Sequence, residues 1–154
     1  MIVRNEQEAL CVAMEMERRA IGIYERALLL AQEEEVRQGI RDILQDEREH
    51  LRRFAGMRED CAPDGTEERV LLKALAAEVL FPGGVMEMER KQGLSTLQGL
   101  YAFAAENERD AVETYLDFSK KCGRADTART FLDIAREESL HLAELKRHLE
   151  DAAE

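Results

Sequence analysis

Two short stretches hold the side chains best suited to chemistry. Asp46-Glu47-Arg48-Glu49-His50 and Glu137-Glu138-Ser139-Leu140-His141 each contain a Glu-x-x-His with an acidic residue just before it, and they stand ninety-one residues apart. Positions i and i+3 of a helix share a face. A carboxylate and an imidazole from each stretch can therefore approach one metal ion from the same side. A core histidine bonded to its neighbouring glutamate would account for either stretch alone. The offset is not confined to them, however. It also pairs Ala13 with Ala104, Glu15 with Glu106, Glu17 with Glu108, Arg18 with Arg109, Ala20 with Ala111, Tyr24 with Tyr115, Asp42 with Asp133, Ile43 with Ile134 and Leu51 with Leu142. The chain is an internal duplication of a two-helix unit.

Four helices must position these residues. The first is expected over residues 5 to about 32, where Leu10, Met14, Glu17, Ile21, Tyr24, Leu28 and Ala31 recur at gaps of four and three, the seam of a bundle helix. The second, about 35 to 57, has the seam Val36, Ile40, Ile43, Glu47, His50, Phe54 and Met57. The turn between them contains neither Gly nor Pro and is placed from the repeat, whose equivalent point is Gly123. The third helix starts near Ser95, where Ser95 and Gln98 fit a capping box. Its seam is Leu97, Tyr101, Ala104, Glu108, Ala111, Tyr115 and Phe118. The fourth, with Asp126 as its expected cap, has the seam Phe131, Ile134, Glu138, His141, Leu145 and His148. His148 has no counterpart in the first half and reads as a partly exposed residue near the helix end.

Residues 58–94 lie outside the duplication. Cys61-Ala62-Pro63-Asp64-Gly65 reads as a loop, Thr66 can cap a helix through Leu80, and Val85 to Gln92 can form a shorter one. This is a long, partly helical crossover. The domain organisation is a single domain over 1–154: helix pair 5–57, crossover 58–94, helix pair 95–151.

Each of the four seams carries a glutamate in an otherwise apolar stripe, and two add a histidine three residues on. One unpaired buried carboxylate costs several kcal/mol. Four would exceed the ~5–15 kcal/mol stability of a whole domain, so something must neutralise them. Two divalent metals would balance four carboxylates, and two neutral imidazoles would complete a mixed oxygen and nitrogen shell. Such a set suits Fe, Mn or Zn.

Composition narrows the function classes. Charged residues make up 36% and aromatics 5%, with no Trp and two Pro, the profile of a helical bundle. The formal net charge of −11 opposes nucleic-acid binding and favours cations. No apolar run approaches a membrane span, and Met1 to Arg19 lacks the apolar core of a signal peptide. Cys11, Cys61 and Cys122 form neither a disulfide framework nor a Cys-x-x-Cys pair, which leads us to expect a cytoplasmic setting.

Taken together, Glu17…Tyr24, Glu47-x-x-His50, Glu108…Tyr115 and Glu138-x-x-His141 resemble the ferritin-like di-iron superfamily, and most closely its rubrerythrin-like branch. The resemblance implies an all-α, antiparallel four-helix bundle holding two iron ions, with Mn or Zn as other occupants. It implies Glu17 and Glu108 as terminal ligands, Glu47 and Glu138 as bridges, and His50 and His141 as one ligand to each metal. Asp46 and Glu137 would orient the opposite helix's imidazole, and Tyr24 and Tyr115 would donate to ligand carboxylates or else simply pack the core. The chain departs from rubrerythrins in two ways. It lacks their Cys-x-x-Cys iron site, so electrons would come from a separate donor protein. It also has Ala111 where they carry an extra Glu, which leaves a symmetric six-ligand set. The implied activity is oxidation of Fe(II) with reduction of O2 or H2O2 in oxidative defence, by a homo-oligomer, a dimer in the first instance. Iron binding or storage without turnover, and a metal-free interaction bundle, are the alternatives.

Overall fold

The computed structural model describes residues 3–58 and 96–153, which form four α-helices and, among the described residues, no strand. Helix α1 spans Glu6–Leu30, α2 Glu34–Met57, α3 Leu97–Lys121 and α4 Ala125–Ala153. The expected crossover, 58–94, lies outside the described residues except for Arg58. No helix among the described residues is long and apolar enough to cross a membrane.

The helix ends follow from local chemistry. Asn5 caps α1, its Oδ1 accepting from the Glu8 N–H at 2.9 Å. Helix α3 is capped by Thr96, not by the expected Ser95. The Thr96 hydroxyl accepts from the Gly99 N–H at 3.0 Å, so a hydroxyl one residue further on takes the capping position. Helix α4 begins one residue before Asp126, which therefore lies in its first turn and not at its cap. Its carboxylate there still meets the positive end of the helix dipole.

Both interhelical turns are three residues long, Ala31 to Glu33 and Cys122 to Arg124, and they stand in the same ninety-one-residue register as the helices. The residue ending α1, Ala31, has φ −72° and ψ 132°; the one ending α3, Cys122, has φ −80° and ψ 133°. Extended backbone with negative φ suits any L-residue. This explains why the first turn contains no glycine and left little punctuation in the sequence. Arg37 closes it instead, donating from Nη1 to the Leu28 and Ala31 carbonyls at 2.7 and 3.1 Å.

Helix α1 packs on α2 and α3, and α4 packs on α3 and α2. Their apolar faces form two clusters. One gathers Leu10, Met14, Phe54, Tyr115, Phe118 and Phe131. The other gathers Ile23, Ile40, Ile43, Leu100, Tyr101 and Leu145. On every helix the seam glutamate marks the border between them. Residues of the first cluster precede Glu17 on α1 and Glu138 on α4, and they follow Glu47 on α2 and Glu108 on α3. The polar layer thus lies between two apolar ones.

Most seam positions are buried. On α1, however, Ile21 and Leu28 are only half-buried while Ile23 and Ala27 are buried. His148 is half-buried, its ring 5.5 Å from that of Tyr101.

Candidate metal centre

The six residues expected to hold metal are all buried: Glu17, Glu47, Glu108 and Glu138 at 1–3% exposure, His50 at 0% and His141 at 5%. They form two overlapping groups. One is Glu17, Glu47, His50 and Glu138; the other is Glu47, Glu108, Glu138 and His141, and within each the candidate ligand atoms lie within 4.8 Å of one another. Glu47 and Glu138 belong to both. Glu17 with His50, and Glu108 with His141, belong to one each.

Each imidazole faces the cluster with Nδ1 and looks away from it with Nε2. His50 Nδ1 is 2.7 Å from Glu138 Oε1, 3.7 Å from Glu17 and 3.8 Å from Glu47. His141 Nδ1 is 2.9 Å from Glu47, 3.3 Å from Glu138 and 3.5 Å from Glu108. On the outer side, His50 Nε2 meets Glu137 Oε2 at 2.7 Å, and His141 Nε2 meets Asp46 Oδ2 at 2.9 Å. A carboxylate on Nε2 keeps the proton on that nitrogen and leaves the Nδ1 lone pair free for a metal. The tyrosines cross in the same way. Tyr24 donates its hydroxyl to Glu108 at 2.5 Å, and Tyr115 donates to Glu17 at 2.8 Å.

Burial and like charge set the electrostatics of this cluster. Burial first, and then the like charges of Glu138, Glu17 and Glu108, hold Glu47 well above the usual carboxylate range. Glu138 is raised in the same way by burial and by Glu108 and Glu17. Burial also works against ionising Glu17, but the nearby His50 and Glu47 and the Tyr115 hydroxyl outweigh it and lower that group. Burial disfavours the charged form of His50, yet Glu17, Glu47 and Glu137 push it up to about 9. His141 is raised too, by Glu108, Glu138 and Glu47 against its burial.

Two carboxylate oxygens in the cluster, Glu17 Oε2 and Glu47 Oε1, are buried with no hydrogen-bond partner. Glu47 Oε1 is only 2.9 Å from His141 Nδ1, but the contact does not have hydrogen-bond geometry. Buried acceptors are rarely left this way. An oxygen aimed close to an imidazole nitrogen without bonding to it is suited to sharing a cation. The donor set fits a metal on this observation: the buried Glu and His side chains could hold metal ions. Neither Cys11 nor Cys122 belongs to either group, so no sulfur among the described residues selects a softer ion.

Beside the cluster, between α1 and α3, is a cavity of about 10 Å³. Its small-residue wall is Ala20, Ala104 and Ala111, and the four glutamates and both tyrosines also line it. Two nearby residues escaped the sequence reading. Asn107 is buried and lines this cavity. A signal for it existed, because the duplication places it opposite the apolar Met16. Arg53 Nη1 lies 3.4 Å from Glu137 Oε2, steadying the carboxylate behind His50. Its counterpart ninety-one residues on is Glu144, of opposite charge, so the repeat concealed it.

No family model matches the chain, and neither does any curated protein or solved structure.

Proposed function

We propose that this chain is a ferritin-like, rubrerythrin-like protein whose Glu/His cluster holds two iron ions and oxidises Fe(II) at the expense of O2 or H2O2. The observation that carries the reading is the pair of four-residue groups sharing Glu47 and Glu138. Two shared carboxylates with one Glu and one His on each side are the ligand pattern that a two-metal site would need. The order of the apolar clusters supports the topology. They succeed each other in one sense along α1 and α4 and in the reverse sense along α2 and α3. Each packed pair of helices is then antiparallel. The end of α2 and the start of α3 then stand at opposite ends of the bundle, as in ferritin-like folds.

When bound, two Fe(II) ions supply two electrons to one O–O unit. This chain's residues set the conditions. Glu17, Glu47, Glu108 and Glu138 offset the metal charge. Glu137 and Asp46 hold each imidazole with Nδ1 inward, and Tyr24 and Tyr115 fix the outer carboxylates. The alanine-lined cavity admits only something small. With no Cys-x-x-Cys in the chain, re-reduction requires a separate donor protein.

A metal-free bundle is the second reading, and the short His50–Glu138 contact favours it. Two imidazoliums would offset two carboxylates, while Glu47 and Glu138 kept their protons. It leaves Glu17 Oε2 and Glu47 Oε1 unexplained. The deciding experiment loads the protein anaerobically with two Fe(II) per chain, counts retained metal, then mixes with O2 or H2O2 and follows ferric absorbance. We expect two ions retained and oxidation faster than for free Fe(II), with one cycle per chain until a reductant is added. Metal retained but oxidised no faster than in buffer would leave binding or storage; no metal retained would leave the second reading.

A further inference from the structure

Asn107 has no part in the mechanism above. It is 5% exposed, and both polar atoms of its carboxamide, Oδ1 and Nδ2, lack a hydrogen-bond partner. An unpaired buried amide is destabilising and uncommon in a folded core. The helix itself does not call for one. Under the duplication position 107 corresponds to Met16, and Met16 lines the same cavity from α1. One repeat fills this position with an apolar thioether, and the other places an amide there.

The cavity's chemistry indicates what the amide is for. Its other polar walls are Glu17, Glu47, Glu108 and Glu138, which only accept hydrogen bonds when ionised. Tyr24 and Tyr115 already donate to Glu108 and Glu17. Among the described lining residues, Asn107 Nδ2 is thus the uncommitted N–H donor. The space is about 10 Å³, roughly one water-sized centre.

We infer that Asn107 is the hydrogen-bonding wall of a binding site for a small exogenous ligand on the α1/α3 side of the metal pair. The ligand class is a small oxygen donor that reaches metal on one side and accepts from Asn107 Nδ2 on the other. Fluoride is its monoatomic stand-in, and organic substrates are too large. The inference rests on the two-metal reading, and its test separates the two.

Full-length wild type, Asn107→Met and Asn107→Leu are loaded with two Fe(II) per chain, oxidised in air, assayed for metal content and titrated with fluoride by ferric absorbance. Asn107→Met restores the residue that the first repeat uses. Both variants should retain two metals and bind fluoride about tenfold or more weakly, the loss of one hydrogen bond to an anion. Without metal, both should melt about 2–6 °C higher than wild type, because an unpaired polar group has been removed. Full metal content with unchanged fluoride affinity would overturn the inference and leave the two-metal reading standing. So would apolar variants that melt lower or fail to fold, since the amide would then be structural. A wild type that retains no metal would overturn both.

Discussion

The two helix pairs are copies, yet neither contains a finished site. The first pair contributes Glu17, Glu47 and His50; the second contributes Glu108, Glu138 and His141. The supporting contacts cross between them. Tyr24 of the first pair serves Glu108 of the second, and Tyr115 serves Glu17 in return. His50 rests on Glu137 and His141 on Asp46, in the same reciprocal way. Duplication has therefore produced two half-sites that complete each other. A mutation in one pair should act on a ligand held by the other. The copies differ at Met16 against Asn107, and in Arg53, which steadies Glu137 while Asp46 has no matching arginine contact among the described residues.

The largest effects should come from the shared carboxylates. Glu47→Ala touches both groups and should abolish stable metal binding at both, whereas His141→Ala should abolish two-metal binding and leave about one ion, held by Glu17, Glu47, His50 and Glu138. Glu17→Ala removes a member of only one group and should leave about one ion per chain, held by Glu47, Glu108, Glu138 and His141. Metal content after gel filtration reads this directly. Equal loss for Glu17→Ala and Glu47→Ala would mean that the pairs do not form two overlapping sites.

Next come the carboxylates behind the imidazoles. Asp46→Asn and Glu137→Gln should each weaken metal binding about 10–100-fold, by loosening the histidine of the opposite pair. Arg53 braces only one of the two, so removing Arg53 should reproduce part of the Glu137 effect and none of the Asp46 effect. Competition with a coloured chelator measures all three.

A third effect depends on pH. Glu47 and Glu138 are raised above 4.5, and His50 is raised from 6.5 to about 9. Each holds its proton more tightly folded than unfolded. The stability so contributed is complete below the unfolded value and is lost as pH rises through the folded one. Glu17 is lowered and acts in the opposite sense, below 4.5, outside this window. Metal-free protein should therefore melt lower at pH 9 than at pH 6.5. Metal displaces these protons, so the gap between loaded and metal-free protein should widen over the same interval. At one hundred times the dissociation constant, bound metal adds about 2.7 kcal/mol. Calorimetry at both pH values decides, and a metal-free melting temperature that climbs with pH would contradict the charge assignment.

The smallest effects should fall on neighbours facing elsewhere. Glu49 pairs with Arg52 on an outer face, while Glu15, its side chain 15% exposed, pairs with Arg18 away from both Glu/His groups. Glu49→Ala should change stability by less than about 0.5 kcal/mol, and both Glu49→Ala and Glu15→Ala should leave metal content intact. Metal loss in Glu49→Ala equal to that in Glu47→Ala would show that the inward face has been misassigned.

The repeat made the four helices and the six inward Glu and His residues legible in the sequence. Spacing along a helix determines which side chains share a face, and a second copy in the same register separates pattern from chance. The caps of α3 and α4 were missed by one and two residues, at Thr96 and just before Ala125, because several adjacent side chains can cap and backbone geometry selects one. What only the tertiary structure decided was how the faces meet. That Nδ1 turns inward on both histidines, and that Glu17 Oε2 and Glu47 Oε1 have no partner, depends on the rotation and height of one helix against another. Those are set by the apolar clusters on either side of the polar layer, built from residues far apart in the chain. Asn107 belongs with them, since periodicity places it next to a ligand but only packing puts its amide in the cavity without a partner.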